Sequence, residues 1–575
     1  MKAWWKEGVV YQIYPRSFQD SNGDGVGDLP GIISRLDAVA ELGADIIWLS
    51  PVYASPGIDN GYDISDYRSI DPLLGTMADM DRLFGEAKKR GIRIIMDLVV
   101  NHTSDEHEWF QKSRRREPGY EDYYIWLPGK NGRPVVPPNN WTSFFMEDAW
   151  TWDELRGEYY LHLFHKKQPD LNYKNPKVID EVKGILKFWL DRGASGFRCD
   201  VINALYKTSL EDGKKNIMIT GTEHFLCQEG NHEILRILRR DVLDHYDCFT
   251  VGETALVNLE DAKLLSDEKR RELNMVFYFD HLEVDRLVAR FVPKKFRAGE
   301  LLKRLDKWQR GLEWNAVYLE NHDQSRIVSH YGAGEKNPLY WERSAKLLAV
   351  LEFTLRGTPF VYQGQEIGMT NFDFTGMGEV KDIESHNLDR LMKKLHLPAR
   401  LRWKWIRASS RDNARTPYQW SAGAGAGFTT GEPWLGINGS HRRINYEAQK
   451  DDPASVLGFY KRILRLRAGS ETLKYGEFHP LFARGPCIAY ERRPPAPAGR
   501  PETSAGQADG APPEDAAGSG GVYTVLLNFS GKTAELPRSW AAAPFATEPV
   551  LSNTGRTAPP SGTLEPWEAV ILKGR

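Results

Sequence analysis

The chain has 575 residues, which at roughly 150 residues per domain allows about four small domains, or one large barrel with attached domains. Lysine and arginine total 76 and aspartate and glutamate total 78, so the formal net charge is −2. That balance disfavours a nucleic-acid-binding protein, because such proteins usually carry a basic surplus. Hydrophobic residues make up 41% and charged residues 27%, which is typical of a globular protein that can bury a large core.

The sequence also predicts where the protein works. It contains no apolar run of about 18 residues, so we expect no transmembrane helix and no membrane partner. The N-terminal segment lacks the apolar stretch of a signal peptide and is predicted to enter the first strand of a domain. The cysteines are scattered, which favours reduced thiols, no zinc site and a cytoplasmic location. They are Cys199, Cys227, Cys248 and Cys487.

Short apolar segments alternate with helical patterns through most of the chain. Eight such segments, each predicted as a strand, are separated by stretches with apolar residues at helical spacing. They begin at Val9, Ile46, Ile92, Gly196, Phe249, Asn274, Ala316 and Pro359. This alternation predicts an α/β fold, specifically a (β/α)₈ barrel of the TIM type.

Two connections are too long to be simple barrel loops. A loop of that length must carry structure of its own, so we predict an inserted domain after the third strand and a helical insertion after the eighth. The alternating strands near the C-terminus predict a separate antiparallel β-sandwich domain, interrupted by a disordered loop rich in Pro, Ala, Gly and Ser. The predicted boundaries are 1–103 and 174–480 for the barrel, 366–427 for its insertion, 104–173 for domain B, 481–575 for the C-terminal domain and 494–521 for the loop.

Three acidic residues stand at the ends of predicted barrel strands. Asp200 ends the fourth strand, Glu253 the fifth and Asp323 follows the seventh. Active sites of such barrels lie at the C-terminal ends of the strands, so we expect the three carboxylates to converge. Charged residues at the ends of apolar strands are costly unless they are paired or used.

The surroundings of two of these carboxylates predict different roles. Arg198 lies two residues from Asp200 on the same strand face, which should lower the pKa of Asp200 and keep it ionised as a nucleophile. Glu253 follows an apolar segment, which should raise its pKa and suit a general acid. Such a pair is the machinery of retaining glycoside hydrolysis, with Asp323 favouring the transition state. His102 and His322 are predicted to donate hydrogen bonds to the same sugar ring.

Four motifs resemble the signature regions of the α-amylase superfamily, glycoside hydrolase family 13. They are DLVVNH at 97–102, GFRCD at 196–200, VGE at 251–253 and ENHD at 320–323, in the family's order and at its usual spacing. The resemblance extends from about Trp5 to the C-terminus. It implies a catalytic barrel, a domain B after the third strand and a C-terminal β-domain.

Narrower motifs resemble the oligo-1,6-glucosidase type. These are QPDLN at 168–172, DNGYD at 59–63 and NARTP at 413–417. The resemblance implies that Asp59 and Arg415 grip the terminal glucose, that Tyr62 stacks on it, and that Phe164 and Gln168 line the same subsite. Arg198 and the two histidines complete the predicted substrate-binding set. A pocket closed behind one glucose implies an enzyme that trims chain ends.

The residue after the predicted nucleophile indicates which glycosidic linkage the enzyme prefers to cleave. Val201 is similar to the residue of α-1,6-preferring members, so we expect an exo-acting α-glucosidase for short isomalto-oligosaccharides. The alternatives are an α-1,4-preferring glucosidase, a trehalose-6-phosphate hydrolase, and a sucrose isomerase or trehalose synthase. A non-catalytic accessory chain of an amino-acid transporter is a remote alternative, since the full set of three carboxylates is present.

A calcium site is predicted in the segment DSNGDGVGD. Its alternating oxygen groups, with a glycine at the sixth position, follow the pattern of a calcium loop, although Gly31 stands where an EF-hand has its glutamate. The same resemblance implies one structural Ca²⁺ in this subfamily. The predicted ligands are Asp20, Asn22, Asp24, Val26 and Asp28. We expect no organic cofactor, a small oligosaccharide as the substrate, and no obligate protein partner.

Overall fold

The computed structural model describes residues 3–133, 135–216, 219–287, 292–334, 337–495, 521–540 and 548–574. Its strands are β1 Val10–Ile13, β2 Ile46–Leu49, β3 Tyr53–Ala54, β4 Asp66–Ile70, β5 Arg93–Leu98, β6 Trp126–Leu127, β7 Trp150–Asp153, β8 Glu158–Leu161, β9 Gly196–Cys199, β10 Phe249–Glu253, β11 Met275–Phe277, β12 Arg286–Leu287, β13 Val292–Pro293, β14 Ala316–Tyr318, β15 Thr358–Tyr362, β16 Glu477–Arg484, β17 Cys487–Arg493, β18 Tyr523–Asn528, β19 Ala534–Glu535, β20 Glu548–Ser552, β21 Thr563–Leu564 and β22 Ala569–Lys573.

The α-helices are α1 Trp4–Glu7, α2 Leu29–Ser34, α3 Leu36–Leu42, α4 Met77–Lys89, α5 Glu108–Arg114, α6 Pro176–Arg192, α7 Thr222–Phe225, α8 Glu229–Asp241, α9 Leu259–Ser266, α10 Ala298–Gly311, α11 Ile327–His330, α12 Pro338–Phe353, α13 Ile383–Lys394, α14 Ala399–Ser409, α15 Asp412–Arg415, α16 Tyr446–Gln449, α17 Val456–Ala468 and α18 Glu471–Tyr475. No helix among the described residues has the length and apolarity needed to cross a membrane.

Eight parallel strands form the barrel, in the order β11-β10-β9-β5-β2-β1-β15-β14. The two end strands of this order meet through the rings of Phe277 and Tyr318, whose centroids are 4.9 Å apart. Nearly every residue of these strands is buried, because helices cover the outside and side chains fill the inside. The predicted (β/α)₈ fold class is therefore confirmed, and all eight predicted segments supply its strands.

The helix α6 illustrates how the sequence builds the outer layer. Asn175 caps its start by accepting a hydrogen bond from the N–H of Lys177, and Pro176 occupies the first helical position. The helix ends at Gly193, which has a φ of 120°. One face is buried against the barrel through Val178, Val182, Ile185, Leu186, Trp189 and Leu190.

The segment between β5 and α6 contains a small antiparallel sheet. Its strand order is β6-β8-β7, and its apolar residues form one cluster with side chains that follow β9. Val201 and Phe225 belong to that cluster, together with Trp141 and Trp150 from the inserted segment. The insertion therefore packs directly on the loop that follows the predicted nucleophile.

The C-terminal part contains a five-stranded antiparallel sheet, β16-β17-β18-β22-β20, and a two-stranded sheet, β19-β21. Leu536 and Leu564, beside the smaller sheet, share a buried cluster with residues of the larger sheet such as Leu526 and Val570. This packing of two antiparallel sheets agrees with the predicted β-sandwich. The loop predicted over 494–521 lies outside the described residues between 496 and 520.

Candidate active site

The barrel strands bring their polar ends together around one guanidinium group. Arg198 is 1% exposed, and its Nη1 lies 2.6 Å from Oδ1 of Asp97 and 2.6 Å from Oδ1 of Asp200. Its Nη2 donates to Oε2 of Glu253. Because β5, β9 and β10 are adjacent and parallel, their carboxyl ends meet at the same mouth of the barrel. A buried charge of this kind is tolerated because several carboxylates compensate it.

The two predicted catalytic carboxyls have different pKa values. Burial raises the pKa of Asp200 to about 6, although the Arg198 guanidinium opposes this effect. Burial also raises the pKa of Glu253 to about 7, and the nearby charge of Asp200 adds to it. Between these values Asp200 is mostly ionised and Glu253 mostly protonated.

The expected lowering of the Asp200 pKa was wrong. Asp200 is 5% exposed, so the loss of hydration outweighs its ion pair with Arg198. The negative charge of Asp97 raises the pKa further, since Asp97 shares the same Nη1 atom. The expected raising of the Glu253 pKa, by a dry setting beside another carboxylate, is confirmed.

Asp323 is surrounded by three basic side chains. Burial raises its pKa, but His322, Arg411 and Arg415 outweigh that effect and hold it well below its usual range. Nη2 of Arg415 lies 2.6 Å from Oδ1 of Asp323, and Nε of Arg415 donates to the His322 carbonyl at 3.0 Å. Nε2 of His322 is 3.1 Å from Oδ2 of Asp323, and its Nδ1 is 2.9 Å from Nε2 of Gln12. Asp323 is therefore ionised throughout the neutral range.

Aromatic rings form the wall beside these charges. Tyr62 stacks on His322 with ring centroids 5.2 Å apart and an angle of 3° between the planes. The ring of His102 lies 5.0 Å from that of Phe164. One face of Tyr62 is thus covered by His322, and Phe164 reaches the site from the inserted segment.

Gln168 joins the inserted segment to the barrel loop that carries Asp59. Its Nε2 atom is 3.3 Å from Oδ2 of Asp59, 3.1 Å from the Tyr62 carbonyl and 3.2 Å from Nε2 of His102. The structure therefore brings together the predicted catalytic residues and all the predicted substrate-binding residues.

The cation that pairs with Asp59 was not among the predicted residues. That cation is Arg411, whose Nη2 lies 3.4 Å from Oδ1 of Asp59, whereas Arg415, predicted with Asp59 to grip the terminal glucose, binds Asp323 and the His322 carbonyl. Nη1 of Arg411 is 3.3 Å from Oδ1 of Asp323. Arg411 stands four residues before Arg415 in the charged turn SRDNARTPYQW, so that turn already contained the signal.

Arg411 also ties the helical insertion to the site. Its Nη2 and Nε atoms lie 2.7 and 2.8 Å from Oδ1 of Asp382, the residue that caps α13. Burial raises the pKa of Asp382, but Arg411 and Arg415 outweigh it and lower the pKa to about 2. The rim of the site continues from there, because Nδ2 of Asn387 on α13 donates to the Phe145 carbonyl of the inserted segment at 3.0 Å.

The predicted calcium loop lies away from these charges, after β1. Oδ1 of Asp20 accepts the N–H groups of Asn22 and Gly23, and its Oδ2 accepts the N–H of Gly25 and the hydroxyl of Thr429. Burial raises the pKa of Asp20, but these hydrogen bonds outweigh it and lower the pKa.

The remaining predicted ligands make local contacts. Asp24 accepts the N–H of Val26 at 2.8 Å, and Asp28 caps α2 by accepting the N–H of Gly31 at 2.6 Å. Within the described parts of the chain, no three acidic, histidine or cysteine side chains form a group able to hold a metal. The loop thus has oxygen groups at the predicted positions, while its three aspartates do not converge.

Comparison with known proteins places this site in a family. A model described as the alpha amylase catalytic domain matches residues 12–476. This chain belongs to the alpha-amylase family. The predicted family and the prediction of a glycoside hydrolase are confirmed.

Two named relatives and one crystal structure show which members of the family are similar to this chain. An oligo-1,6-glucosidase of Parageobacillus thermoglucosidasius is 49% identical over 85% of this chain and 87% of its own length. A glucan 1,6-alpha-glucosidase of Streptococcus pneumoniae is 44% identical over 86% of this chain and 89% of its own length. The crystal structure of a trehalulose synthase from Pseudomonas mesoacidophila MX-45 matches with a TM-score of 0.89 at 38% identity, and the match covers 100% of both chains.

Proposed function

We propose that this protein is a retaining, exo-acting α-glucosidase that releases glucose from the non-reducing end of short α-1,6-linked isomalto-oligosaccharides. The observation that carries the proposal is the placement of the Asp200 and Glu253 carboxyls on one guanidinium, Arg198, at the mouth of the barrel. The higher pKa of Glu253 agrees with one ionised nucleophile and one protonated acid. The named 1,6-glucosidase relatives support the linkage.

The first chemical step follows from these protonation states. The Asp200 carboxylate attacks the anomeric carbon, and the bond from that carbon to the leaving oxygen breaks. Glu253 gives its proton to that oxygen as the bond breaks. The product is a glycosyl-enzyme ester on Asp200 and a released sugar. Arg198 stabilises both carboxyls while the charge moves from one to the other.

The second step reverses the proton's path. Glu253, now ionised, accepts a proton from water, and the water oxygen attacks the anomeric carbon and displaces Asp200. Two displacements restore the original anomeric configuration. Asp323, ionised because His322, Arg411 and Arg415 surround it, lies where it favours the positive charge that develops on the sugar in both steps.

The exo mode is supported by the charged side chains that surround Arg411. Asp59 and Asp323 both contact Arg411, and Gln168 adds a third polar group beside Asp59. Asp59, Gln168 and Arg411 are buried and Asp323 is half-buried, and together they offer donors and acceptors to the hydroxyl groups of one terminal glucose. A sugar chain that continued past that glucose would have to displace these ion pairs.

The 1,6 linkage is also supported by the residue that follows the nucleophile. Val201 has a φ of 36°, a left-handed conformation that is unusual for a β-branched side chain, and it is buried in the cluster shared with the inserted segment. The surrounding packing holds this strained backbone in place. Its side chain therefore has a defined position beside Asp200, where it limits the shapes of leaving group that fit.

We also propose one structural Ca²⁺ in the loop at Asp20–Asp28. Support comes from the alternating oxygen groups and from the lowered pKa of Asp20, which keeps that carboxylate ionised. The loop turns at Gly23 and Gly25, with φ values of 82° and 89°, as a chelating loop requires. Loss of Ca²⁺ would act on stability, since the loop lies apart from the charged cluster around Arg198.

A cytoplasmic location remains our proposal as well. The four cysteines of the chain are free thiols, and Cys199 and Cys487 are buried. Free buried thiols are typical of a reducing compartment. Comparison of the protein's distribution between cell fractions, with and without a permeabilising treatment, tests this directly.

Parallel measurement of glucose release from isomaltose, maltose, sucrose, trehalose and trehalose-6-phosphate tests the proposed activity. We expect rapid release from isomaltose and slow release from maltose. Rapid release from maltose alone would contradict the linkage, and formation of sucrose isomers would favour an isomerase. NMR of the first anomer released tests retention, and Asp200→Asn is the inactive control.

A further inference from the structure

A buried lysine lies behind the predicted sugar-binding residues. The ammonium group of Lys207 has four oxygen neighbours: Oδ2 of Asp170 at 2.6 Å, Oδ1 of Asn101 at 3.0 Å, and the carbonyls of Ala204 at 2.9 Å and Leu205 at 3.3 Å. Lys207 is 3% exposed and Asp170 0%. We propose that Lys207, a residue outside the predicted sugar-binding set, is a positioning residue that sets the ring tautomer of His102 through Asn101 and Asp170.

The first link is the orientation of the Asn101 amide. An ammonium group can only donate hydrogen bonds and an ionised carboxylate can only accept them. Oδ1 of Asn101 must therefore face Lys207. Nδ2 of Asn101 must face Oδ2 of Asp170, which lies 3.1 Å away. The charged pair thus selects one of the two possible orientations of this amide.

The second link is the histidine beside that amide. Nδ2 of Asn101 also lies 3.3 Å from Nδ1 of His102. Since the amide nitrogen donates, Nδ1 must accept, and the ring proton of neutral His102 must sit on Nε2. Nε2 lies 3.0 Å from the Tyr62 carbonyl, which is an acceptor, so the assignment is self-consistent.

The hydrogen bonds of the neighbouring Gln168 are compatible with this arrangement of donors and acceptors. Oε1 of Gln168 accepts the N–H of His165 at 3.0 Å, which leaves its Nε2 to donate to the Tyr62 carbonyl and to Asp59. Nε2 of Gln168 and Nε2 of His102 lie 3.2 Å apart, and in the selected tautomer both are donors that share one acceptor, the Tyr62 carbonyl. In the opposite tautomer, Nε2 of His102 would accept from Gln168 instead.

This polarity matters for the sugar pocket. In the selected tautomer, the N–H of His102 is directed at the Tyr62 carbonyl, where an incoming hydroxyl can share it, and the adjacent Asp59 presents acceptor oxygens. A sugar hydroxyl can accept from the first and donate to the second. Burial also lowers the pKa of His102, which keeps the ring neutral and leaves the tautomer as the variable. This use of the tautomer rests on the proposed function, whereas the tautomer itself does not.

The test reads the tautomer directly in the substrate-free enzyme. Histidine ring nitrogens are labelled with ¹⁵N, and the His102 signals are identified by their loss in His102→Gln. We expect a pyridine-like Nδ1 and a pyrrole-like Nε2 in the native enzyme. The reverse pattern in the native enzyme would overturn the proposal.

A charge-neutral double variant tests the role of the lysine. Lys207→Met with Asp170→Asn removes both charges together, which avoids leaving one buried charge unpaired. Asn101 is then free to turn its Oδ1 toward His102, so we expect signals of the Nδ1–H tautomer to appear. Unchanged His102 signals in this folded variant would overturn the proposal.

The control is Lys346→Met, which removes another buried lysine that pairs with Glu342 instead of the His102 network. We expect its His102 signals to match the native ones. If the protein is an α-glucosidase, the double variant should also lose about tenfold in kcat/KM, the effect of one misdirected hydrogen bond, and the control should not. Absence of glucose release by the native enzyme would contradict the proposed function and leave the tautomer result standing.

Discussion

Replacement of Arg411 by methionine removes the cation that joins Asp59 and Asp323 of the active site to Asp382 of the helical insertion. The guanidinium lies 2.7 Å from Asp382, 3.3 Å from Asp323 and 3.4 Å from Asp59, and Arg411 is 7% exposed. The substitution leaves two buried carboxylates, Asp382 and Asp59, and the half-buried Asp323 without this partner. Loss of one partner from a buried ion pair costs about 3–5 kcal/mol.

The pKa of Asp382 gives a second value for the stability that is lost when Arg411 is replaced. Burial raises this pKa, and Arg411 is the largest of the opposing effects that bring it to about 2, against 3.8 for an unperturbed aspartate. A depression of about 2 units corresponds to about 2–3 kcal/mol of stability. Because the folded pKa is lowered, this stability is present above pH ~4 and is lost as the pH falls toward ~2.

Thermal or urea denaturation at pH 7 measures the effect. Arg407→Met is the matched control, since Arg407 lies nearby on α14 and its partner Asp373 is 86% exposed at the side chain. We expect Arg411→Met to be less stable than this control by about 3 kcal/mol or more, because an exposed pair contributes only about 0–1 kcal/mol. We also expect a raised KM, because Asp59 loses its cation. Equal stability and an unchanged KM in the two variants would refute the reasoning.

Three further predictions concern the catalytic groups and the loop after β1. Native kcat/KM should follow a bell-shaped pH profile, rising through about 6 as Asp200 ionises and falling through about 7 as Glu253 loses its proton; a flat profile from pH 5 to 9 would contradict these assignments. Glu253→Gln should lose most activity on isomaltose and much less on an aryl glucoside, whose leaving group needs little acid assistance, so equal losses would argue against the acid role. A chelator should lower the melting temperature while leaving the pH profile in place, and an unchanged melting temperature in calcium-depleted protein would count against the metal.

Much of the fold could be predicted because it depends on local patterns. Eight apolar segments with helical stretches between them predict a barrel, and each of those segments became a barrel strand. Strand ends are visible in the sequence as the change from apolar to polar residues. Since parallel strands bring their ends to one mouth, the convergence of Asp200, Glu253 and Asp323 followed from the same pattern.

The pKa of Asp200 could not be worked out from sequence neighbours. Arg198, two residues away, indicated a lowered pKa. The structure adds the depth of burial and the charge of Asp97 from a different strand, and together these raise it. Desolvation depends on everything packed around a group, most of which is remote in the chain.

The partner of Asp59 shows the same limit. The motif at 413–417 identified Arg415 as a sugar-binding residue, and nothing in the sequence indicated which arginine of that turn faces Asp59. Only the folded chain places Arg411 toward Asp59 and Asp382, and Arg415 toward Asp323 and the His322 carbonyl.

The sequence by itself therefore determined which segments form the barrel strands, which family the chain belongs to, and which carboxylates stand at the strand ends. The tertiary structure alone decided which cation neutralises which carboxylate, how far burial shifts each pKa, and that Asn101 lies between Lys207 and the ring of His102. The physical reason is range: strand and helix patterns arise from neighbouring residues, whereas hydration and charge pairing depend on contacts between segments far apart in the chain.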